Sequence, residues 1–189
     1  MLSTTIKEAT KEAHQQLEKK VVQKLKAIRS NQDYADLLRY FYAYFNHLEK
    51  AIAPFITANL LPDYAQRRNS SFLKSDIEAL GGNIDNLPAT SVPAITNPIQ
   101  ALGALYVMEG SIMGGSIIVQ MLAKGGITEG VSFFSGYGPA TGQMWGAFIA
   151  VLNASAKNDD EEAIAVQIAN ETFNHFAAVF TEAEQPVNG

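Results

Sequence analysis

The sequence predicts an all-α protein, and three of its features support that prediction. Apolar residues recur at three- and four-residue spacing through most of the 189 residues, as on the buried face of a helix. No segment shows the alternation of apolar and polar residues, or the Asn-Gly turn, that marks paired strands. Glycine and proline stand where helices start and stop. We therefore predict about six helices in a single domain spanning residues 1–189, with an ordered core at about 4–182.

The N-terminal quarter of the chain is predicted to form two long helices. Residues 4–28 carry apolar side chains at helical spacing. A second helix is predicted over residues 33–57, with Ser30 as its N-cap and Asp33 in the position of a capping box. Pro54 should bend or end it, because proline lacks an amide donor and clashes with the preceding turn.

Four further helices follow, separated by typical start and stop signals. They are predicted at residues 71–80, 97–124, 139–156 and 158–182. Gly81-Gly82 and Gly125-Gly126 suit left-handed helix ends. Asn97-Pro98 is a cap followed by proline at the first helical position. An irregular link joins the third and fourth helices, and the tail after Gln185 is predicted to be frayed.

Composition excludes several classes of function. The net charge of −5 and pI near 5.2, without a basic cluster, argue against a nucleic-acid partner. The absence of cysteine excludes disulfides, thiolate metal sites and a cysteine nucleophile. The N-terminus has no apolar signal-peptide region, and polar residues interrupt every long apolar run. We therefore expect a cytoplasmic protein that does not span a membrane.

Within the fourth predicted helix, the stretch from Leu105 to Ile118 contains three glycines, Gly110, Gly114 and Gly115. Each costs a helix about 1 kcal/mol relative to alanine, so a compensating interaction is expected. A glycine lets the backbone approach another helix closely, or lets a flat ligand lie against it. Sequence spacing alone leaves both explanations open. Glu109, beside these glycines, is expected to be a solvated or paired surface acid.

The three histidines differ in their position on their helices. His14 lies within about 30° of the centre of its apolar face, whereas His47 and His175 lie about 110–120° away. His14 is therefore predicted to point inward, either as a core histidine bonded to a carbonyl or as an axial ligand of a metal or haem. Lys7 and Lys11 share its face in the first turns of the predicted helix, where they either face solvent or meet an anion.

Other constellations are weaker. Glu171 with His175, and His14 with Glu18, are four residues apart, a spacing found in carboxylate-bridged di-iron sites. Only three histidines are present and no Glu-x-x-His motif occurs. The chain has no glycine-rich phosphate loop, no Gly-x-Ser-x-Gly elbow and no His-Glu-x-x-His motif.

Two of these segments together resemble the haem oxygenase family. IKEATKEAH, which ends at His14, is similar to the proximal-helix motif, and YVMEGSIMGGSII is similar to the distal helix. FFSGYG, and ETFNHF near the end, resemble the bacterial members, including the branch found beside bacteriophytochromes. The resemblance covers roughly residues 5–180 in the same order. It implies the all-α haem oxygenase fold, with haem between the first helix and a kinked glycine helix.

The resemblance also implies roles for individual residues. His14 would be the proximal iron ligand, and the three glycines of the distal helix, Gly110, Gly114 and Gly115, would form the close distal wall. Lys7 and Lys11 match positions that meet the haem propionates. Glu18 matches a residue beside the proximal pocket.

The implied activity is haem degradation. Haem would be both cofactor and substrate, and O2 with electrons from a separate reductase or ferredoxin would convert it to biliverdin, carbon monoxide and ferrous iron. Ser111 stands in place of a distal aspartate beside the water network that delivers protons, and Met113 replaces a small hydroxyl residue. Gly146 and Ala150 stand where basic propionate anchors are expected, so Tyr137 and the first-helix lysines would have to compensate.

Three alternatives remain beside this interpretation. The first is a haem-binding relative without turnover, suggested by Ser111, Met113 and the missing anchors. The second is a non-haem di-iron oxidase on the same fold, using Glu171 and His175. The third is a helical interaction domain whose glycine face packs against another helix.

Overall fold

The computed structural model describes residues 1–183 and confirms the all-α prediction. Within these residues the chain forms eight α-helices and no strand. The helices are α1 Leu2–Ala9, α2 Lys11–Ala27, α3 Asn31–Ile52, α4 Ser70–Ala79, α5 Pro98–Gly110, α6 Ile112–Lys124, α7 Thr141–Ser155 and α8 Asp159–Ala183. The frayed tail predicted after Gln185 lies outside the described residues.

The count is eight rather than six because a single hydroxyl residue interrupts each of two predicted helices. Thr10 separates α1 from α2, and its hydroxyl donates to the carbonyl of Ile6 at 2.7 Å. Ser111 separates α5 from α6, and its hydroxyl donates to the carbonyl of Met108 at 2.6 Å. A hydroxyl that bonds back to the preceding turn competes with the backbone ladder and bends a helix. The predicted kink of the glycine helix therefore exists, immediately after Gly110.

The predicted start and stop signals act as expected. The Ser30 hydroxyl accepts from the backbone amide of Asp33 at 3.1 Å, and the side chain of Asn97 caps α5. α3 ends ahead of Pro54 and so is shorter than predicted. Gly81 and Gly126 adopt φ of 81° and 84°, the left-handed conformation that terminates α4 and α6.

The helices pack around α5, which contacts α3, α7 and α8. Gly103 permits the closest approach, since a Cβ there would stand 2.6 Å from the carbonyl oxygen of Ala165 on α8. The buried apolar residues form one continuous cluster, as a single domain requires. α2 packs on α8 and also touches α6, so the helix carrying His14 lies beside the glycine helix.

Within the described residues, the apolar run Pro98–Lys124 is the one stretch long and apolar enough to cross a membrane. In its most apolar window 56% of the residues are buried inside the protein. Because α5 is the central packing element, this run is accounted for as a core helix pair.

Candidate functional site

The His14 side chain is exposed, which does not fit the interpretation as a buried core histidine. Its angular position on α2 matches that of Val21 and Leu25, which are buried. Helical periodicity gives the direction of a side chain but not how completely its neighbours cover it, and the His14 side chain remains largely uncovered. His14 therefore faces an open region on the side of the helix that is elsewhere packed.

The imidazole of His14 is held in place by an aromatic contact. Its ring stacks on Phe173 of α8, with centroids 5.1 Å apart and an interplanar angle of 20°. No residue in the range 1–183 forms a hydrogen bond with its ring nitrogens, so the alternative of a carbonyl-bonded core histidine is excluded. A stacked ring with free nitrogens can act as a metal ligand.

An uncovered apolar surface lies on α6. Met113 is 52% exposed and Ile117 is 63% exposed. Gly114 lies beside them, and a Cβ added there would meet nothing within 4 Å. At Gly110 the same test finds only the edge of the Trp145 ring, at 3.6 Å. This part of the helix thus offers bare backbone and apolar side chains to a ligand.

Gly115 permits close packing, one of the two explanations that the sequence left open for the glycines of this helix. A Cβ at this position would stand 1.9 Å from the carbonyl oxygen of Phe134, so the glycine allows α6 to pack on the loop before α7. The two explanations of the interior glycines are therefore divided between residues. Gly103 and Gly115 permit close packing, whereas Gly114 faces open space.

Glu109 is buried, with 2% of its surface exposed, so the prediction of a surface acid is wrong. Its Oε2 accepts from Nη1 of Arg67 at 2.8 Å and from the Tyr137 hydroxyl at 3.0 Å. The opposite edge of the Arg67 guanidinium forms a bidentate pair with Asp63, at 2.8 and 2.9 Å. The carboxylate is buried because cations reach it from a loop that folds over α5.

Arg68 connects this network to the break between α5 and α6. Its guanidinium donates to the carbonyl of Met108 at 3.0 Å, to the carbonyl of Phe133 at 2.5 Å and to the hydroxyl of Ser111 at 2.5 Å. Burial lowers the pKa of Arg68 to about 10, although the charge of Glu109 opposes this shift. The side chain is therefore protonated at neutral pH, and a fixed positive charge sits at the C-terminal end of α5.

Tyr137 belongs to the same network. Its hydroxyl donates to Glu109 and accepts from the backbone amide of Arg68 at 3.0 Å. Burial, and secondarily the charge of Glu109, raise the pKa of Tyr137 to about 12. These bonds place the Tyr137 hydroxyl in the network around Glu109.

Lys7 and Lys11 are exposed and form no ion pair within residues 1–183. Because the helix is interrupted at Thr10, the two lysines do not both lie in the first turns of one helix, as the sequence predicted. Lys7 lies in the last turn of α1, where a cation is favoured, and only Lys11 lies at a helix N-terminus. Glu18 is exposed on α2, one turn beyond His14.

The other two histidines take part in surface hydrogen bonds. His47 Nδ1 lies 2.8 Å from the Thr90 hydroxyl, and His175 Nδ1 lies 2.7 Å from the Ser91 hydroxyl. Over residues 1–183, no three His, Asp or Glu side chains come close enough to share a metal ion. The di-iron alternative therefore lacks a ligand set.

Sequence reasoning missed Arg67 and Arg68. They follow a short 3-10 turn, Tyr64–Gln66, in a loop without helical periodicity. One available signal was Glu109, a carboxylate in the middle of an otherwise apolar helix, which needs a cation if that helix is buried. Arg67 and Arg68, two adjacent arginines in a loop of an acidic chain, were the candidates for that cation.

Comparison with known proteins identifies one family. A family model described as heme oxygenase matches residues 1–182. The heme oxygenase PigA of Pseudomonas aeruginosa is 28% identical over 169 residues, covering 88% of this chain and 85% of the relative. A heme oxygenase of Xanthomonas campestris pv. campestris is 27% identical over 157 residues, covering 81% of this chain and 92% of the relative. The NO- and CO-bound heme oxygenase from Neisseria meningitidis has a similar structure, with TM-score 0.83, 20% identity, and coverage of 100% of this chain and 95% of that chain.

Proposed function

The chain belongs to the haem oxygenase family, and on that premise we propose that His14, Gly110, Ser111 and Gly114 form its haem site. The protein is a haem-degrading enzyme that uses O2 and external electrons to form biliverdin, carbon monoxide and ferrous iron. Haem is both substrate and cofactor, and when bound it supplies the iron at which O2 reacts and the macrocycle that is cleaved.

The observation that carries the site is the exposed His14 ring with free nitrogens. A neutral imidazole is a common axial ligand of haem iron. Stacking on Phe173 fixes the plane of the ring at 5.1 Å and leaves its edge available. α2 also contacts α6, the helix with the bare glycine face, which supports a site between these two helices.

Gly114 and Gly110 support the distal wall of the proposed site. Gly114 has no neighbour in the direction of its missing side chain, so a planar macrocycle can lie directly on the backbone. The exposed Met113 and Ile117 side chains would be covered at the same time, which gives an apolar gain of about 25 cal/mol per Å² removed from water.

Ser111 is the residue that would hold a water for proton delivery. Its hydroxyl donates to Met108 and accepts from Arg68, so one lone pair remains to accept a hydrogen bond from water. Arg68 stays protonated at neutral pH, so it would not act as a base, but its charge would orient that water. Positioned proton transfer of this kind contributes about 10²–10⁴ in rate.

Lys7, Lys11 and Glu18 are proposed to lie around the proximal side of the ring. The two lysines have no partner in the described part of the chain, so they are available to carboxylates. No charged residue occurs in α7. The cations available to the haem propionates therefore come from α1 and α2 and not from α7.

We also propose an acidic one-electron carrier, a ferredoxin or reductase, as the electron donor, and the cytoplasm as the location. Residues 1–30 carry seven basic and three acidic residues, a net charge of +4 in a chain whose total is −5. The rest of the chain therefore carries −9. A positive segment around His14 would steer an acidic donor to the edge of the site.

Hemin titration followed by reduction tests this function. The purified protein should give a Soret band with stoichiometric hemin, and His14→Ala should shift or weaken it, whereas His47→Ala should not. Ascorbate or a reductase under air should then replace the band with biliverdin absorbance and release carbon monoxide. A Soret band that survives reductant and oxygen would instead support the haem-binding protein without turnover. No Soret band at all would contradict the haem site.

A further inference from the structure

Met113 and Ile117 form an exposed apolar ridge on α6, the Met113–Ile117 ridge. The large hydrophobic residues that remain exposed in the described chain are these two, Phe72 and the N-terminal Met1. Met113 and Ile117 are four residues apart, so their side chains are neighbours on one helix face. Single exposed hydrophobic residues are ordinary, but a pair beside a bare glycine indicates a surface that a ligand covers.

The ridge borders the bare backbone. Gly110, Met113, Gly114 and Ile117 are separated by three and four residues and form one continuous patch across the helix break. Gly114 is the low point of this patch, because nothing lies within 4 Å of its Cβ position. A flat ring resting on Gly114 would therefore meet the side chains of the ridge along one edge.

Charged residues alone cannot fix the in-plane rotation of that ring. α7 also contacts α6, yet it contains no charged residue, and its Gly146 has nothing within 4 Å of its Cβ position. The unpaired lysines Lys7 and Lys11 belong to α1 and α2. Anchoring from one side restrains the ring carboxylates but leaves neighbouring in-plane orientations close in energy.

We propose that the Met113–Ile117 ridge fixes the in-plane orientation of haem and thereby selects which meso carbon is oxidised. This inference rests on the haem site proposed above. Met113 is the specificity-determining residue, because it stands beside Gly114 and can block one rotation of the macrocycle. Ile117 extends the same wall by one turn. Neither side chain offers a proton or a ligand that the reaction needs, so the ridge acts by shape.

The test is hemin-loaded full-length protein carrying Met113→Ala or Ile117→Ala. Proton NMR of the cyanide-bound ferric complex resolves the haem methyl signals, and their pattern reports in-plane orientation without turnover. The wild-type protein should show one dominant pattern. Met113→Ala should populate a second pattern and change the ratio of biliverdin isomers, measured by chromatography, by about threefold or more, a modest change in relative free energy.

Two controls separate shape from general damage. Met113→Leu keeps the bulk of the side chain and should retain the wild-type pattern. Phe72→Ala removes another exposed apolar side chain, 38% exposed, from α4 and should change neither the NMR pattern nor the isomer ratio. If both ridge variants bind hemin and keep the wild-type pattern and isomers, the ridge does not set orientation, although the haem site stands. A wild-type protein without a Soret complex would overturn the site itself.

Discussion

Replacing Glu109 by glutamine should destabilise the protein far more than the loss of an ordinary ion pair. The side chain is 2% exposed and accepts from both Arg67 and Tyr137. Removing one partner of a buried pair costs about 3–5 kcal/mol, because the other charge stays buried without compensation. Asp63 still pairs with Arg67, so we expect the lower end of this range. For a chain of this size, ~3 kcal/mol corresponds to a fall in Tm of about 6–12 °C.

Glu78→Gln is the matched control for this measurement. Glu78 lies on α4, 3.9 Å from Lys74, and its side chain is 58% exposed. An exposed pair of this kind contributes about 0–1 kcal/mol. Urea unfolding of the two variants, followed by circular dichroism, gives both free energies under one set of conditions. Equal losses in the two variants would refute the conclusion that Glu109 belongs to a buried, coupled network.

A double replacement tests the same reasoning from the opposite direction. Arg67→Met combined with Glu109→Leu removes both charges and leaves apolar groups of similar size. Replacing a buried ion pair by apolar residues is often neutral or stabilising. The double variant should therefore be more stable than Glu109→Gln alone. If the losses of the single variants simply add, the residues are not coupled as the 2.8 Å contact indicates.

Three further predictions concern other parts of the site. Gly115→Ala should destabilise the protein by about 1–3 kcal/mol in urea unfolding, because its Cβ would collide with Phe134. Gly114→Ala should instead be tolerated or slightly stabilising while weakening hemin binding, and equal effects of the two substitutions would contradict the division of roles. Lys11→Ala should reduce hemin affinity by up to a few-fold and flatten its dependence on salt, since an exposed charge pair contributes up to about 1 kcal/mol; an unchanged salt dependence would exclude a carboxylate contact. Between pH 10 and pH 12 an unfolded Tyr137 releases a proton that the folded protein retains, so stability should fall as pH rises and Tyr137→Phe should show a shallower fall in urea unfolding.

Helix positions were predictable because their signals are local. Ser30 and Asn97 cap the helices they precede, and Gly81 and Gly126 end theirs in the left-handed conformation. The break at Thr10 was missed because a threonine in a helix either bonds back to the preceding turn or leaves the ladder intact. Which of these occurs depends on packing that the local sequence does not contain.

The sequence predicted which face of a helix a site residue occupies, but it did not predict which distant residues that side chain contacts. His14 lies on the packed side of α2 as predicted, and its ring stacks on Phe173 of α8. Its exposure was not predictable, because periodicity does not show how completely neighbouring helices cover a face. Glu109 and Arg67 are 42 residues apart, and their pairing depends on a loop folding over α5. No periodicity links a helix to an irregular loop, so the buried network required the tertiary structure.

The open glycine face and the buried ion network depend on each other. The glycine helix stops at Gly110 and restarts after Ser111. At this break the Met108 carbonyl accepts hydrogen bonds from the Ser111 hydroxyl and from the Arg68 guanidinium, in addition to the Ser111 backbone amide.

Burying Arg68 without a nearby negative charge would be costly, and Glu109 provides that charge while Tyr137 links the two residues. Neither Glu109 nor Tyr137 has to touch the ligand for its loss to be felt at the haem site. We therefore expect Glu109→Gln to weaken hemin binding as well as stability, through a shift in the α5–α6 break. A variant that loses stability but binds hemin with wild-type affinity would show that the break is held by Ser111 alone.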